Sequence, residues 1–113
     1  MHELSLAQSV VEIAVAEATK AGCSRVTSIT IEAGVWSGVV REALEFAMTA
    51  TVKDTMAEGA ELIIIEVPGR VKCNACHTEF AAEEYYNACP KCNSTAVSVI
   101  SGRELQVKSV TAE

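Results

Sequence analysis

Cys73, Cys76, Cys89 and Cys92 form two Cys-x-x-Cys pairs separated by twelve residues, the spacing of a tetrathiolate metal site. Each short knuckle delivers two soft thiolates, and together they complete a tetrahedron around a cation that has no directional d-electron preference. Structural zinc suits this donor set best; rubredoxin-like iron and a dithiol/disulfide system are the alternatives that the same four side chains allow. Four available thiolates leave no position open to water, so the pattern reads as a closed site and not a catalytic one. His77, directly after Cys76, reads as a polar loop residue outside the metal shell, although imidazole is able to replace a cysteine ligand in an alternative state. The fifth cysteine, Cys23, reads as a small residue near a helix-to-strand connection whose free thiol can cross-link chains on oxidation. No nucleotide-binding glycine motif, H-E-x-x-H or G-x-S-x-G sequence occurs, which removes the commonest catalytic signatures.

A second chemistry lies at Met1-His2-Glu3. The His2 imidazole, the Met1 amine and the intervening amide nitrogen can approach one ion in adjoining chelate rings, with the Glu3 amide or another side chain closing a fourth position. A planar nitrogen set of this kind favours Ni(II) or Cu(II) over tetrahedral zinc. It requires deprotonated nitrogens and therefore weakens as pH falls.

The elements that must carry these groups are legible from periodicity. Between Leu4 and Ala21, Leu4, Leu6, Ala7, Val10, Val11, Ile13, Ala14 and Ala18 recur at helical spacing, and Gly22 is placed to close the helix in the left-handed conformation. Arg25 to Ala33 is rich in β-branched residues, with Ile29, Ile31 and Ala33 on one face of a strand and Thr30 and Glu32 on the other. Val39, Val40, Ala43, Leu44, Ala47, Met48 and Thr51 predict a second helix capped by Ser37. Leu62 to Ile65 reads as a central strand, ended by Pro68-Gly69, and Leu105 and Val107 belong to a last strand. The simplest packing is α+β: a small mixed three-stranded sheet covered by two helices, plus a four-cysteine insertion. The first two strands are expected to run parallel through a right-handed crossover, with the last strand antiparallel. One sheet face or edge is then left exposed for a partner.

The formal net charge is −6 in 113 residues. Residues 1–69 hold ten acidic and four basic side chains, and residues 70–113 five of each. A surface of this sign, without a basic stripe around the cysteines, argues against nucleic acid as a partner. The first helical segment carries Glu3, Glu12, Glu17 and Lys20 and no apolar run reaches spanning length, so neither a signal peptide nor a membrane span is expected. Four reduced thiols agree with a cytoplasmic location. The insertion has few large apolar groups beyond Val71, Phe80, Tyr85, Tyr86, Val97, Val99 and Ile100, so bound metal must supply part of its folding energy. Trp36 is read as an anchor for the strand-to-helix turn.

The start Met1-His2-Glu3-Leu4-Ser5-Leu6-Ala7, the segment Gly34 to Val39 followed by Glu42-Ala43-Leu44-Glu45-Phe46-Ala47, Glu58-Gly59-Ala60 and the paired cysteines together resemble the HypA/HybF hydrogenase nickel-incorporation family. The resemblance runs in order over essentially the whole chain. It implies a non-enzymatic nickel metallochaperone that helps deliver Ni(II) to the large subunit of [NiFe]-hydrogenase, working with the family's GTPase; relatives in some organisms also support urease and its accessory proteins. By position, Met1, His2 and Glu3 look like the nickel ligands and Cys73, Cys76, Cys89 and Cys92 like the structural zinc ligands. Residues 1–69 and 101–113 would then be the α/β nickel-binding domain and residues 70–100 the zinc-binding domain inserted before the last strand. Some relatives add a histidine from the zinc module, and this chain has none after His77. The competing expectation is a non-catalytic zinc-ribbon interaction module that handles no nickel.

Overall fold

A computed structural model describes residues 3–84 and 87–113. The element order is α1 (Glu3–Lys20), β1 (Val26–Gly34), α2 (Arg41–Thr51), β2 (Glu61–Val67), β3 (Arg70–Cys73), β4 (Glu79–Ala81), β5 (Val97–Ser101) and β6 (Leu105–Ala112). They form two three-stranded sheets, β2-β1-β6 and β4-β3-β5. The chain divides into two compact units: one comprises the chain through Glu32, Gly38–Ile65 and Gln106–Glu113, the other Ala33–Ser37 and Glu66–Leu105. Tyr85 and Tyr86, expected to contribute apolar surface, lie outside the described residues.

In the first unit α1 packs on α2. Its buried positions are Ala7, Val10, Val11, Ala14 and Ala18, small or β-branched side chains that allow close approach between helices. Leu4 and Ile13, expected on that face, are exposed by 45% and 48%: the buried stripe is narrower than the apolar pattern, because alanines fill it. The helix ends as expected. Gly22 sits at φ 77, with its N–H on the Thr19 carbonyl and the Cys23 N–H on the Ala18 carbonyl, the paired bonds of a Schellman closure.

β1 is the middle strand and buries Val26, Ile29 and Ile31. Arg25 and Glu113 exchange backbone bonds and the Gly34 N–H donates to the Glu104 carbonyl, a constant register that runs β6 antiparallel to β1. The Val35 N–H donates to the Val67 carbonyl just past the end of β1, so β2 runs parallel to β1 and the sheet is mixed. β2 is an edge strand and not the central one expected from its unbroken aliphatic run; Ile63 and Ile65 are each 38% exposed. The aliphatic run reported strand propensity, which does not distinguish a centre from an edge. The second helix also begins later than expected. Val40, extended and without a side-chain cap bond, precedes Arg41, whereas the Ser37 N–H closes a turn on the Gly34 carbonyl.

In the second unit β3 is central, pairing antiparallel with β4 (Val71 opposite Phe80) and with β5 (Val71 opposite Val99). Val71 is fully buried, and the three apolar residues share one face because directly opposed residues in an antiparallel ladder do. Trp36, contributed by the short upstream segment, is half-buried in a slot made by glycines. A Cβ on Gly69 would lie 2.4 Å from the indole Cζ2, and one on Gly102 2.7 Å from its Cε3. The indole N–H donates to the Glu83 carbonyl at 3.1 Å, and the Trp36 backbone N–H to the Gly102 carbonyl at 2.6 Å. Trp36 is thus an anchor, within the second unit. The Glu104 carboxylate accepts the Gly102 N–H at 2.6 Å, a bond that holds its carboxyl below the usual carboxylate range.

Because no side chain fits between Gly69 and the indole, Gly69→Ala should destabilise the second unit by about 1–3 kcal/mol, the usual cost of overpacking. Trp36 is the single tryptophan, so its emission should shift to the red and its unfolding midpoint in urea should fall.

Candidate metal centre

The four cysteines converge in the second unit, their sulfurs all within 4.8 Å of one another. Cys73 Sγ lies 3.4 Å from Cys92 Sγ and Cys76 Sγ 3.6 Å from Cys89 Sγ. A tetrahedron with Zn–S bonds of about 2.3 Å has sulfurs ~3.8 Å apart, so the cluster fits a tetrathiolate ion with little adjustment. None of the five cysteines is in a disulfide. Among the described residues no other group of histidine, cysteine and carboxylate side chains is arranged to hold a metal.

The two knuckles are built alike, at an offset of sixteen residues. The His77 N–H donates to the Cys73 carbonyl and the Cys73 N–H to the Thr78 carbonyl; the Asn93 N–H donates to the Cys89 carbonyl and the Cys89 N–H to the Ser94 carbonyl. His77 and Asn93 occupy the same left-handed position, φ 65 and φ 61. The first cysteine of each pair is buried, Cys73 at 0% and Cys89 at 1% exposure, while Cys76 and Cys92 are exposed. Each left-handed non-glycine residue costs roughly 1–2 kcal/mol, against about 10–16 kcal/mol of apparent binding free energy for a structural zinc in a finger peptide. A zinc ion bound with comparable strength would offset both turns.

The electrostatics of the bare cluster also call for a cation. Amide donors, that of Cys76 foremost, lower the Cys73 thiol. The Thr78 hydroxyl, 3.2 Å from Cys76 Sγ, and then the Thr78 amide lower the Cys76 thiol to about 6. At Cys92 the Ser94 amide favours the thiolate, but the Cys73, Cys76 and Cys89 sulfurs together with burial outweigh it and push that thiol up to about 12. Negative sulfurs repel one another in this volume, so Cys92 keeps its proton until a divalent ion replaces it. Thr78 and Ser94 escaped the sequence reading. The signal was present as a Ser or Thr two residues beyond the last cysteine of each pair.

Of the residues in the amino-terminal set, Glu3 opens α1 and is half-buried. Met1 and His2 lie outside the described residues. No helix among the described residues is long and apolar enough to cross a membrane.

The model of one protein family, described as hydrogenase/urease nickel incorporation, metallochaperone, hypA, matches residues 1–112. Hydrogenase maturation factor HypA of Geobacter metallireducens is 46% identical over 113 residues, covering 100% of both chains. The protein of the same description from Chlorobaculum tepidum is 44% identical over 113 residues, again covering 100% of each. The solution structure of the Ni metallochaperone HypA from Helicobacter pylori covers 99% of this chain and 97% of its own with a TM-score of 0.72, at 22% identity. That last likeness is one of fold.

The thiol pattern fixes the direction of a pH effect. At neutral pH Cys92 is protonated and Cys76, at about 6, is ionised, so zinc binding to the metal-free protein should release protons. Below about pH 6 Cys76 is protonated too, which raises the number released and lowers zinc affinity more steeply. Calorimetric titrations in buffers of different ionisation enthalpy measure both. At the left-handed turn, His77→Gly should retain or raise stability, while His77→Val should cost about 1–3 kcal/mol in thermal or urea unfolding.

Proposed function

The chain belongs to the HypA family of nickel-incorporation metallochaperones for hydrogenase maturation, and from that membership we propose that it binds Ni(II) at its amino terminus and passes it to the large subunit of [NiFe]-hydrogenase. The full-length family match is the observation that carries this reading. Met1 supplies the terminal amine, His2 its imidazole and an amide nitrogen, and Glu3 an amide nitrogen. Square-planar nitrogen donors suit Ni(II) and disfavour zinc. The protein acts as a carrier: no bond in a substrate is made or broken. Capture must be tight and release must be fast once an acceptor arrives, which ligands at a chain end permit by stepwise exchange.

Cys73, Cys76, Cys89 and Cys92 take zinc as a structural ion. Closed tetrathiolate coordination holds the second metal apart from the cargo and fixes the shape of the zinc-binding domain, proposed as residues 70–100, for docking. The nickel-binding domain is proposed as residues 1–69 and 101–113. The partners in this reading are the GTPase of hydrogenase maturation and the hydrogenase large subunit, with urease accessory proteins as a further acceptor route. The working compartment is the cytoplasm, where thiols stay reduced and the acceptor is assembled.

Adding two residues ahead of Met1 should abolish tight nickel binding in calorimetry while zinc content and helicity are retained. His2→Ala should do the same. Cys73→Ser should instead lower zinc occupancy and the stability of the second unit while much of the nickel affinity survives. Protein with a native terminus that binds zinc but gives no nickel-dependent spectral change would leave a zinc-stapled interaction module and defeat the carrier reading.

A further inference from the structure

The two knuckles match in backbone but differ in one side-chain bond. At Cys76 the Thr78 hydroxyl lies 3.2 Å from the sulfur, in addition to the Thr78 amide. At the equivalent place the Ser94 hydroxyl accepts the Ala96 N–H at 3.1 Å, and the bond that Ser94 makes to Cys92 comes from its backbone amide. A local cause is visible in the sequence of elements. Thr78 runs straight into β4 at Glu79, whereas Ser94 must close a turn through Thr95 and Ala96 before β5 starts at Val97. Cys73 and Cys89 are buried at 0% and 1% exposure, so within the cluster a reagent in solution meets Cys76 and Cys92.

In the metal-free chain the Cys76 thiol donates to Thr78 Oγ1; once Cys76 is a thiolate ligand, the hydroxyl is the group that holds a proton, and donating it draws charge from the sulfur and occupies one of its lone-pair directions. The sulfur without that donor keeps more electron density for attack. From this asymmetry we infer that Cys92 is the modification site of the zinc centre, the thiolate that soft electrophiles such as α,β-unsaturated carbonyl compounds meet first. The inference rests on the proposed zinc assignment. In the reaction the Cys92 sulfur lone pair forms a bond to the β-carbon of the alkene, the carbon–carbon π bond breaks, and the α-carbon takes a proton from water to leave hydroxide. The thioether that results is a neutral and poorer ligand, so the ion loses its fourth thiolate and the site opens on the Cys92 side.

The test uses full-length zinc-loaded protein with Cys23→Ser, which removes the half-buried unligated thiol. Substoichiometric N-ethylmaleimide is added, labelled peptides are quantified by mass spectrometry, and released zinc is followed with a chromogenic chelator. Cys92 should be labelled about tenfold faster than Cys76, the factor expected for one charge-assisted hydrogen bond, with zinc released in step. Thr78→Val should raise Cys76 labelling to the Cys92 rate. Ser94→Ala should leave the order unchanged, because Ser94 bonds Cys92 through its backbone amide, which the substitution keeps. Equal labelling in the Cys23→Ser protein, labelling first at Cys76, or a Thr78→Val protein with an unaltered ratio would overturn the inference alone. Isolated protein that holds no zinc before treatment would overturn the zinc assignment and the inference with it.

Discussion

Four sulfurs within 4.8 Å of one another are a repulsive arrangement, and the second unit is organised around resolving it. In water such thiols would separate or keep their protons. Here Cys73 and Cys89 are buried, the backbone aims amides at the cluster, and one thiol is held in its protonated form up to about 12. Each of these features costs free energy in the metal-free chain and each is recovered when a divalent ion enters. Among the described residues of its small sheet Val71 is the fully buried aliphatic side chain, so a metal adds to a limited apolar core. The metal site therefore belongs to the fold of this unit and is not an ornament on it.

The same constraint accounts for the unusual backbone. Two chelating cysteines with two residues between them must point both sulfurs to one side, so the chain must reverse immediately afterwards. His77 and Asn93 make that reversal in the left-handed region, where glycine would be easier. Asparagine tolerates the conformation; histidine tolerates it less well. The Trp36 slot imposes a comparable restriction from steric exclusion. Gly69 and Gly102 are fixed by the indole they cover, and Gly34 by the carbonyl of Gly102, to which a Cβ would come impossibly close.

Much of this was legible in the sequence, and the failures share a cause. Spacing disclosed the four-cysteine cluster, helical periodicity disclosed α1, alternation disclosed the buried face of β1, and Gly22 disclosed the end of α1. What could not be read was everything that depends on which element lies beside which. Leu62 to Ile65 looks central by composition yet forms an edge. Ser37 looks like a helix cap yet closes an earlier turn, and Val39 and Val40 extend the helical pattern without joining the helix. Leu4 and Ile13 fit the apolar stripe yet face outward. A sheet within the cysteine region was hidden as well, because β4 is only three residues long and β3 four, too short for a period to register.

The proposed division of labour between two metals follows from donor chemistry. Thiolates in a closed tetrahedron bind a soft or borderline ion tightly and exchange it slowly, properties that suit a structural role and would defeat a carrier. Amine, amide and imidazole nitrogens select square-planar Ni(II), and protons compete with the metal for each of them, so such a site has a built-in means of release. The two donor sets cannot substitute for one another. A chain that handles nickel in the presence of zinc needs the thiolates satisfied first, since vacant cysteines would compete for its cargo. Zinc in the four-cysteine site, as proposed, would then protect the selectivity of the proposed nickel site as well as the shape of its own unit.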